Sequence, residues 1–447
     1  MRESSKHHAM VRWYSPALLA RTGMRAAIST AVGQVADNRE VRAALYPDPP
    51  LFDHSGDVGA DGNFRLDFVA DLGDGWDATF AVASAICADT QMTNDGEAPR
   101  GDVLIMGGDE IYPEPSVDGY CERTVAPWNA AGCENGDFST TLYAIPGNHD
   151  WYDGLHAFGD VFCRQGRPFP GFEAARFSHL KPRQANSYFA LKLPHGWWLC
   201  GIDIQLNNRI DPPQYDFFES VAKKISKGEQ IILCAPTPSW VRETSGNPGA
   251  SKLLATMMQV LSAGGGEIRL VLTGDLHHYS RYESADRRLT LITAGGGGAF
   301  LHPTHKLPAK AKIGKRGGPA REFSKVECYP LPEVSQKLAW RNLLFPFYNP
   351  DFALTLGAIY VLLSWFLVTR QIGGNAALTS LFTDIYSGTH KIGDTVVQFF
   401  DAIPKSPEFA IFVTAFTAAF IAFNLTRNVA ARIGFGVLHT LAHIMAL

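Results

Sequence analysis

The chain has 447 residues and a formal net charge of −4, long enough for one large catalytic domain with appended segments. So near-neutral a balance gives no electrostatic footprint for a nucleic-acid partner, and none is expected. The seven cysteines (Cys87, Cys121, Cys133, Cys163, Cys200, Cys234 and Cys328) follow no Cys-x-x-Cys spacing. They fit a reduced compartment better than a disulfide scaffold, with a Cys121–Cys133 bridge as the alternative.

Residues 1–50 read largely as helix. Met1 to Met10 are polar and basic, with no apolar run of signal-peptide length behind them, so this end is expected on the cytoplasmic side. Ser15-Pro16 supplies an N-cap and a first-turn proline, and Ala-rich sequence with Arg21, Arg25, Arg39 and Arg42 follows. Such a helix either lies on a membrane surface or packs on the main domain. The second is preferred, because no strong amphipathic pattern is evident.

Residues 51–303 alternate short apolar runs with Gly-rich polar loops. Leu66–Ala70, Val103–Met106, Leu142–Ile145, Trp197–Ile202, Ile231–Leu233 and Leu270–Leu272 suit buried strands. Trp76–Ala88 and Pro213–Ile225 suit helices between them. The expected fold is layered α/β, a β-sheet sandwich flanked by helices.

Residues 304–350 read as a basic linker, with Lys306, Lys310, Lys312, Lys315, Arg316, Arg321 and Lys325. Residues 351–447 read as membrane-spanning. Phe352–Thr369 and Phe409–Leu425 are each near the roughly 20 apolar residues that cross a bilayer. The chain stops inside a further apolar stretch, Ile433–Leu447, as a truncated membrane region would. Basic residues crowd the linker, and Arg427 and Arg432 follow the second run. The loop between carries Arg370, Lys391 and Lys405 against Asp384, Asp394, Asp401 and Glu408. This asymmetry places the catalytic zone in the cytoplasm.

Four motifs each follow an expected strand. They are Asp71-Leu72-Gly73-Asp74, Gly108-Asp109-Glu110-Ile111-Tyr112, Gly147-Asn148-His149-Asp150 and Gly274-Asp275-Leu276-His277-His278. Strand ends are where open α/β sheets bind ligands, and glycines let adjacent polar side chains converge. Oxygen and imidazole donors from four strand ends suit hard or borderline cations. Singly, Asp74 and Asp150 also read as turn or cap residues, Tyr112 as a core aromatic and His278 as pointing elsewhere.

Taken together, the motifs from Asp71 to Tyr279 resemble the calcineurin-like metallophosphoesterase superfamily. Gly73 stands where the first motif usually has a histidine, and Tyr112 follows Asp109 by three residues. Both features are similar to the purple acid phosphatase variant. The resemblance implies two divalent or transition metal ions. Asp71, Asp109, Tyr112 and His277 would hold the first, with Asp109 bridging to a second that also takes Asn148. His149 would sit beside the leaving group as a general acid oriented by Asp150, while hydroxide attacks phosphorus in line.

Two departures concern the second metal. The expected His-x-Pro segment reads Leu233-Cys234-Ala235-Pro236-Thr237-Pro238, and Asp275 replaces the first histidine of the last motif. With Asp275 as ligand that site is oxygen-richer, favouring Mn²⁺ or Mg²⁺ over Zn²⁺ there. Across the pair, Mn or Fe is favoured, with Zn or Mg as alternatives. Cys234 is a candidate substitute ligand, although a buried apolar role is more usual for a free cysteine.

The run Gly295–Gly298 forms either a rim of the active site, with His302 or His305 touching substrate, or a tight turn. Trp128, Trp151, Tyr152 and Trp240 either shape the pocket or merely pack. The expected protein is a membrane-anchored, cytoplasm-facing phosphoesterase acting on a phosphate ester, with lipid-linked phosphates among the candidate substrates. The alternative is a catalytically weakened phosphoesterase fold that binds a ligand or regulates at the membrane.

Overall fold

The computed structural model describes residues 7–32, 37–48, 50–93, 96–167, 171, 173–204, 209–315, 318–371, 387, 397, 407–423 and 429–446. The chain divides into two units: Met1–Trp13 with Ala17–Leu343, and Tyr14–Pro16 with Leu344–Leu447.

In the first unit the strands are, in chain order, β1 (Leu51–Asp53), β2 (Leu66–Val69), β3 (Thr90–Thr93), β4 (Gly96–Pro99), β5 (Val103–Met106), β6 (Thr140–Ala144), β7 (Leu180–Pro182) and β8 (Phe189–Leu193). There follow β9 (Trp197–Gly201), β10 (Gln230–Cys234), β11 (Glu267–Thr273), β12 (Tyr279–Ser284), β13 (Thr290–Ala294), β14 (Lys310–Lys315) and β15 (Gly318–Tyr329). Among the described residues they form a parallel sheet β2-β5-β6-β7 and a mixed sheet β1-β8-β9-β10-β11-β13-β12-β15-β14, with β3 and β4 as a separate hairpin.

The alternation along β5 shows why the sheets stack. Val103 and Ile105 face the second sheet, in one cluster with Tyr143, Phe189, Leu191, Leu199 and Leu272. Leu104 and Met106 turn the other way, toward Ala83, Trp128 and Phe158 of the helices Trp76–Cys87, Ala126–Glu134 and His156–Phe162. The outer face of the mixed sheet offers Ile231, Leu233, Val271 and Leu291 to Phe218, Val221, Leu254 and Met257 of the helices Pro212–Ala222 and Lys252–Leu261. The result is helix, sheet, sheet, helix, with strand residues buried on both faces as the apolar runs require.

The basic linker expected over residues 304–350 is corrected by the fold. β14 and β15 pair antiparallel, and β15 continues the mixed sheet against β12. Ala311, Ile313 and Phe323 are buried on the core side, while Lys310 and Lys312 point out and pair with Glu322. A half-solvated strand alternates in just this way, so the domain runs on past residue 303 to Tyr329. Arg316, counted with that linker, lies outside the described residues.

Two helices, Pro16–Val32 and Asn38–Leu45, occupy the N-terminal segment. The second packs on the domain through Arg39. Its buried guanidinium contacts Asp37 (2.7 Å), Asp211 (3.3 Å) and the Asp203 carbonyl (2.8 Å).

In the second unit the expected spans fall on the helices Pro350–Gln371 and Pro407–Phe423, and Val429–Ala446 follows. Among the described residues no helix is long and apolar enough to cross a membrane, so the transmembrane expectation finds no support in the fold. The first helix carries Asp351 and Arg370 near its ends, and the third includes Arg432, His439 and His443. Asp384, Lys391, Asp394, Asp401, Lys405 and Arg427, on which the orientation rested, lie outside the described residues.

Candidate metal centre

The site lies at the C-terminal ends of parallel strands. Asp71 comes two residues after β2, Asp109 three after β5, Asn148 and His149 just beyond β6, Asp275 two after β11. Asp71, Asp109 and Asp275 have φ of 65°, 55° and 66°, a left-handed region that costs most side chains energy and that Asp tolerates better than most. Such turns aim consecutive groups into one pocket. A Cβ on Gly147 would overlap the Asp109 carboxylate, and one on Gly295 would overlap Asp71 Oδ2. Glycine at these two places lets neighbouring loops close on the acids.

Tyr112 sits at the meeting point. Its Oη lies 3.1 Å from Asp71 Oδ1, 3.2 Å from Asp109 Oδ2 and 2.9 Å from His277 Nε2. Asp71, Asp109 and His277 are buried, with one ligand atom of each within 4.8 Å of the others. The imidazole is correctly presented. Nδ1 donates to the Phe300 carbonyl at 2.6 Å, leaving the Nε2 lone pair toward the acids. Burial pushes His277 down to about 3, so the ring is neutral.

Among the described residues no lysine or arginine pairs with Asp71, Asp109 or Glu110. Burial, and then Asp275, raises Asp71; burial, and then Asp71, raises Asp109; burial, and then Asp150, raises Glu110. Asp71 Oδ2 is buried with no hydrogen-bond partner. Buried carboxylates are stable when paired or bound to metal, so two acids, a phenol and a neutral imidazole fit one metal ion well. The order of ligand types favours a transition metal.

Asn148 donates from Nδ2 to the Tyr152 hydroxyl at 2.9 Å, and Tyr152 meets the His149 ring edge-on at 4.9 Å. His149 holds the Pro113 carbonyl through Nδ1 at 2.7 Å, and its backbone N–H donates to Asp109 Oδ1 at 2.8 Å. Burial pushes its imidazole down to about 4.

Asp150 has other partners than the His149 ring expected for it. Its Oδ2 accepts from the backbone N–H groups of Asp109 (2.8 Å) and Gly147 (2.8 Å), and Oδ1 from the Tyr120 hydroxyl. It is a buried brace between two ligand loops, and the Pro113 carbonyl orients His149 in its place. Asp275 accepts from Thr237 Oγ1 at 3.0 Å and Arg242 Nη2 at 2.7 Å on one oxygen, and it stands outside the Asp71–Asp109–His277 group.

Cys234 is buried between the sheets, away from a ligand role, and all seven cysteines are free, so Cys121 and Cys133 are not bridged. The glycine run lies over the first loop, Gly297 N donating to Ala70 O and Ala299 N to Asp71 O. His302 Nδ1 accepts from His277 N at 3.1 Å, whereas His305 turns to Ser335 at 2.9 Å. His278 is buried, and neither ring nitrogen has a hydrogen-bond partner. Trp128, Trp151 and Trp240 are core residues; Tyr152 alone of those four reaches the site.

Sequence reasoning missed Trp13, Phe300, Thr237 and Arg242. Asp74 binds Val11 N (2.9 Å), Trp13 Nε1 (3.4 Å) and Phe300 N (3.2 Å). It thereby fixes Trp13 against Tyr112, His149 and Phe300, at ring centroid distances of 5.5, 5.5 and 5.2 Å. The one local signal was Asp74 itself, an acid in a turn with no strand-end role.

A buried acid, phenol and imidazole group at the ends of parallel strands in a double-sheet sandwich could hold a metal ion. Residues 64–279 match the family model described as calcineurin-like phosphoesterase. No curated protein matches the sequence significantly.

Among solved structures the chain is similar to GAP50, described as the anchor in the inner membrane complex of Plasmodium. The identity is 17%, over 58% of this chain and 78% of that one, with a TM-score of 0.39. It is also similar to a purple acid phosphatase from yellow lupin seeds (15%, 62% and 47%, TM-score 0.32) and to PhoD (10%, 65% and 76%, TM-score 0.31). At such TM-scores these likenesses carry no weight beyond the family match.

Proposed function

We propose that the chain hydrolyses a phosphate ester with a metal ion held by Asp71, Asp109, Tyr112 and His277. The observation that carries this is the buried Asp71 Oδ2, unpartnered within a group of acids that has no cation of its own. A cation there supplies positive charge against the phosphoryl oxygens and makes water nucleophilic near neutral pH. Asp150 keeps the second and third loops in register through their backbone N–H groups. Asn148 and Tyr152 form the wall beside Asp109. His149 is the general acid. Pro113 fixes its Nδ1, so Nε2 is the nitrogen that can face the leaving oxygen. A phosphate anion beside the ring favours its protonated form, offsetting the effect of burial.

The C-terminal helices expose Leu354, Val361, Trp365, Ile411 and Val429. Together with the apolar runs in the sequence, this supports a tether to lipid and a substrate near a lipid surface; the basic residues that flank those runs in the sequence favour a cytoplasmic catalytic domain. Extraction from membranes by salt alone would count against the tether.

A second reading, a ligand-binding fold weakened in catalysis, is favoured by the pairing of Asp275 with Arg242 where a second metal would be held. Turnover of aryl phosphate mono- and diesters, assayed with Mn²⁺, Fe²⁺, Zn²⁺ or Mg²⁺ beside an Asp109→Asn control, separates the two. Metal-dependent turnover lost in the control is expected. Its absence with every metal and both ester classes, in folded protein, would favour the second reading.

A further inference from the structure

The position beside the metal group holds a fixed positive charge in place of a second set of metal ligands. Asp275 Oδ2 accepts from Arg242 Nη2 at 2.7 Å and from Thr237 Oγ1 at 3.0 Å. Thr237 follows β10 in the segment that has no histidine, and Arg242 lies on the short helix Ser239–Thr244 just beyond it. Asp275 is no ordinary surface partner. Its side chain is 8% exposed, its backbone is left-handed, and its N–H donates to Asp71 Oδ1 at 3.1 Å. Arg242 therefore stands one carboxylate away from the metal group.

A second cation does not fit there. Among the described residues Asp71, Asp109 and His277 are the one group of three or more acid, imidazole or thiol ligands drawn within 4.8 Å of each other, and neither Asp275, His149 nor His302 joins it. A divalent ion at Asp275 would meet the guanidinium already bound to that carboxylate, and like charges at such range repel. Arg242 itself is half exposed. Its bond to Asp275 uses Nη2, and a planar five-donor fork suits two phosphoryl oxygens at once.

We infer that the chain binds one metal ion and that Arg242, positioned by Asp275 and Thr237, takes the second metal's place as the cation that holds the phosphoryl group. This rests on the phosphoesterase reading of the same site. It assigns Arg242 to binding of phosphoryl oxygens and removes Asp275 from the metal ligands.

The test uses the full chain equilibrated with Mn²⁺, freed of excess metal, and titrated with inorganic phosphate by calorimetry, with metal content measured by mass spectrometry. One Mn²⁺ per chain is expected in the wild type, in Arg242→Met and in Arg242→Lys. The phosphate Kd is expected to rise tenfold or more in Arg242→Met, with part of the loss recovered in Arg242→Lys, which keeps the charge without the fork. The Lys variant also gives the readout if Arg242→Met does not fold. Two Mn²⁺ per wild-type chain, or an unchanged phosphate Kd in both variants, would overturn the inference and leave the phosphoesterase reading standing. No bound Mn²⁺ at all would overturn both.

Discussion

His277 and Phe300 are joined by a 2.6 Å bond from imidazole Nδ1 to the backbone carbonyl, and that bond decides which nitrogen the ring offers to Asp71 and Asp109. Replacing His277 with Gln keeps a polar side chain but not a neutral imidazole lone pair at the same reach. Such second-sphere and ligand changes cost about 10–100-fold in metal affinity or more. A Mn²⁺ titration of His277→Gln should show at least that loss with the fold intact by circular dichroism. Wild-type affinity would remove His277 from the ligand set.

Trp13 leans on Tyr112, His149 and Phe300 from a segment far away in sequence. It forms a wall over His149, the proposed general acid, rather than part of the reacting group. Trp13→Ala should raise KM for bulky aryl phosphates several-fold while kcat changes less. Equal loss in kcat with an unchanged KM would mean that Trp13 acts on His149 itself.

The acids of the centre set a pH dependence. Burial raises Asp71, Asp109 and Glu110 above their ordinary values. At these acids the folded, metal-free chain holds more protons than the unfolded one, so their contribution to stability falls as pH rises above the ordinary carboxylate range, while the depressed His149 and His277 contribute the opposite slope up to about pH 6.5. Metal binding displaces those protons and strengthens with pH. Added Mn²⁺ should therefore raise the Tm of chelator-treated protein more at pH 8 than at pH 5. A Tm gain from Mn²⁺ that is larger at pH 5 would contradict this.

Arg39 is buried amid Asp37, Asp203 and Asp211, with its guanidinium 5.1 Å from the Trp151 ring. Arg39→Met leaves Asp203 and Asp211 without their cation, a change that costs about 3–5 kcal/mol when one partner of a buried pair is lost. Chemical denaturation should show a loss of that size, with Mn²⁺ affinity close to wild type at temperatures where the variant is folded.

The sequence made some of this legible and hid the rest for physical reasons. Strands buried on both faces, such as Val103–Met106, are continuous apolar runs and stand out. β14 and β15 are wet on one face, so Lys310, Lys312 and Lys325 read as a basic linker. The buried group of Asp71, Asp109, Tyr112 and His277 was visible because each residue sits in a short motif at a strand end. The role of Asp150 was not, because adjacency to His149 in sequence suggested contact, while the turn sends the carboxylate back to the Asp109 and Gly147 backbone. Trp13 and Arg242 belong to no motif and reach the site only through tertiary packing, with Asp74 and Asp275 as their anchors.

The most direct measurement is phosphate release from an aryl phosphate by chelator-stripped full-length chain as Mn²⁺ is added back, beside Asp71→Asn, which tolerates the same left-handed backbone. Activity should be absent without metal, return with Mn²⁺ and stay absent in Asp71→Asn. Turnover that survives the chelator, or persists in Asp71→Asn, would contradict a metal-dependent reaction at this centre.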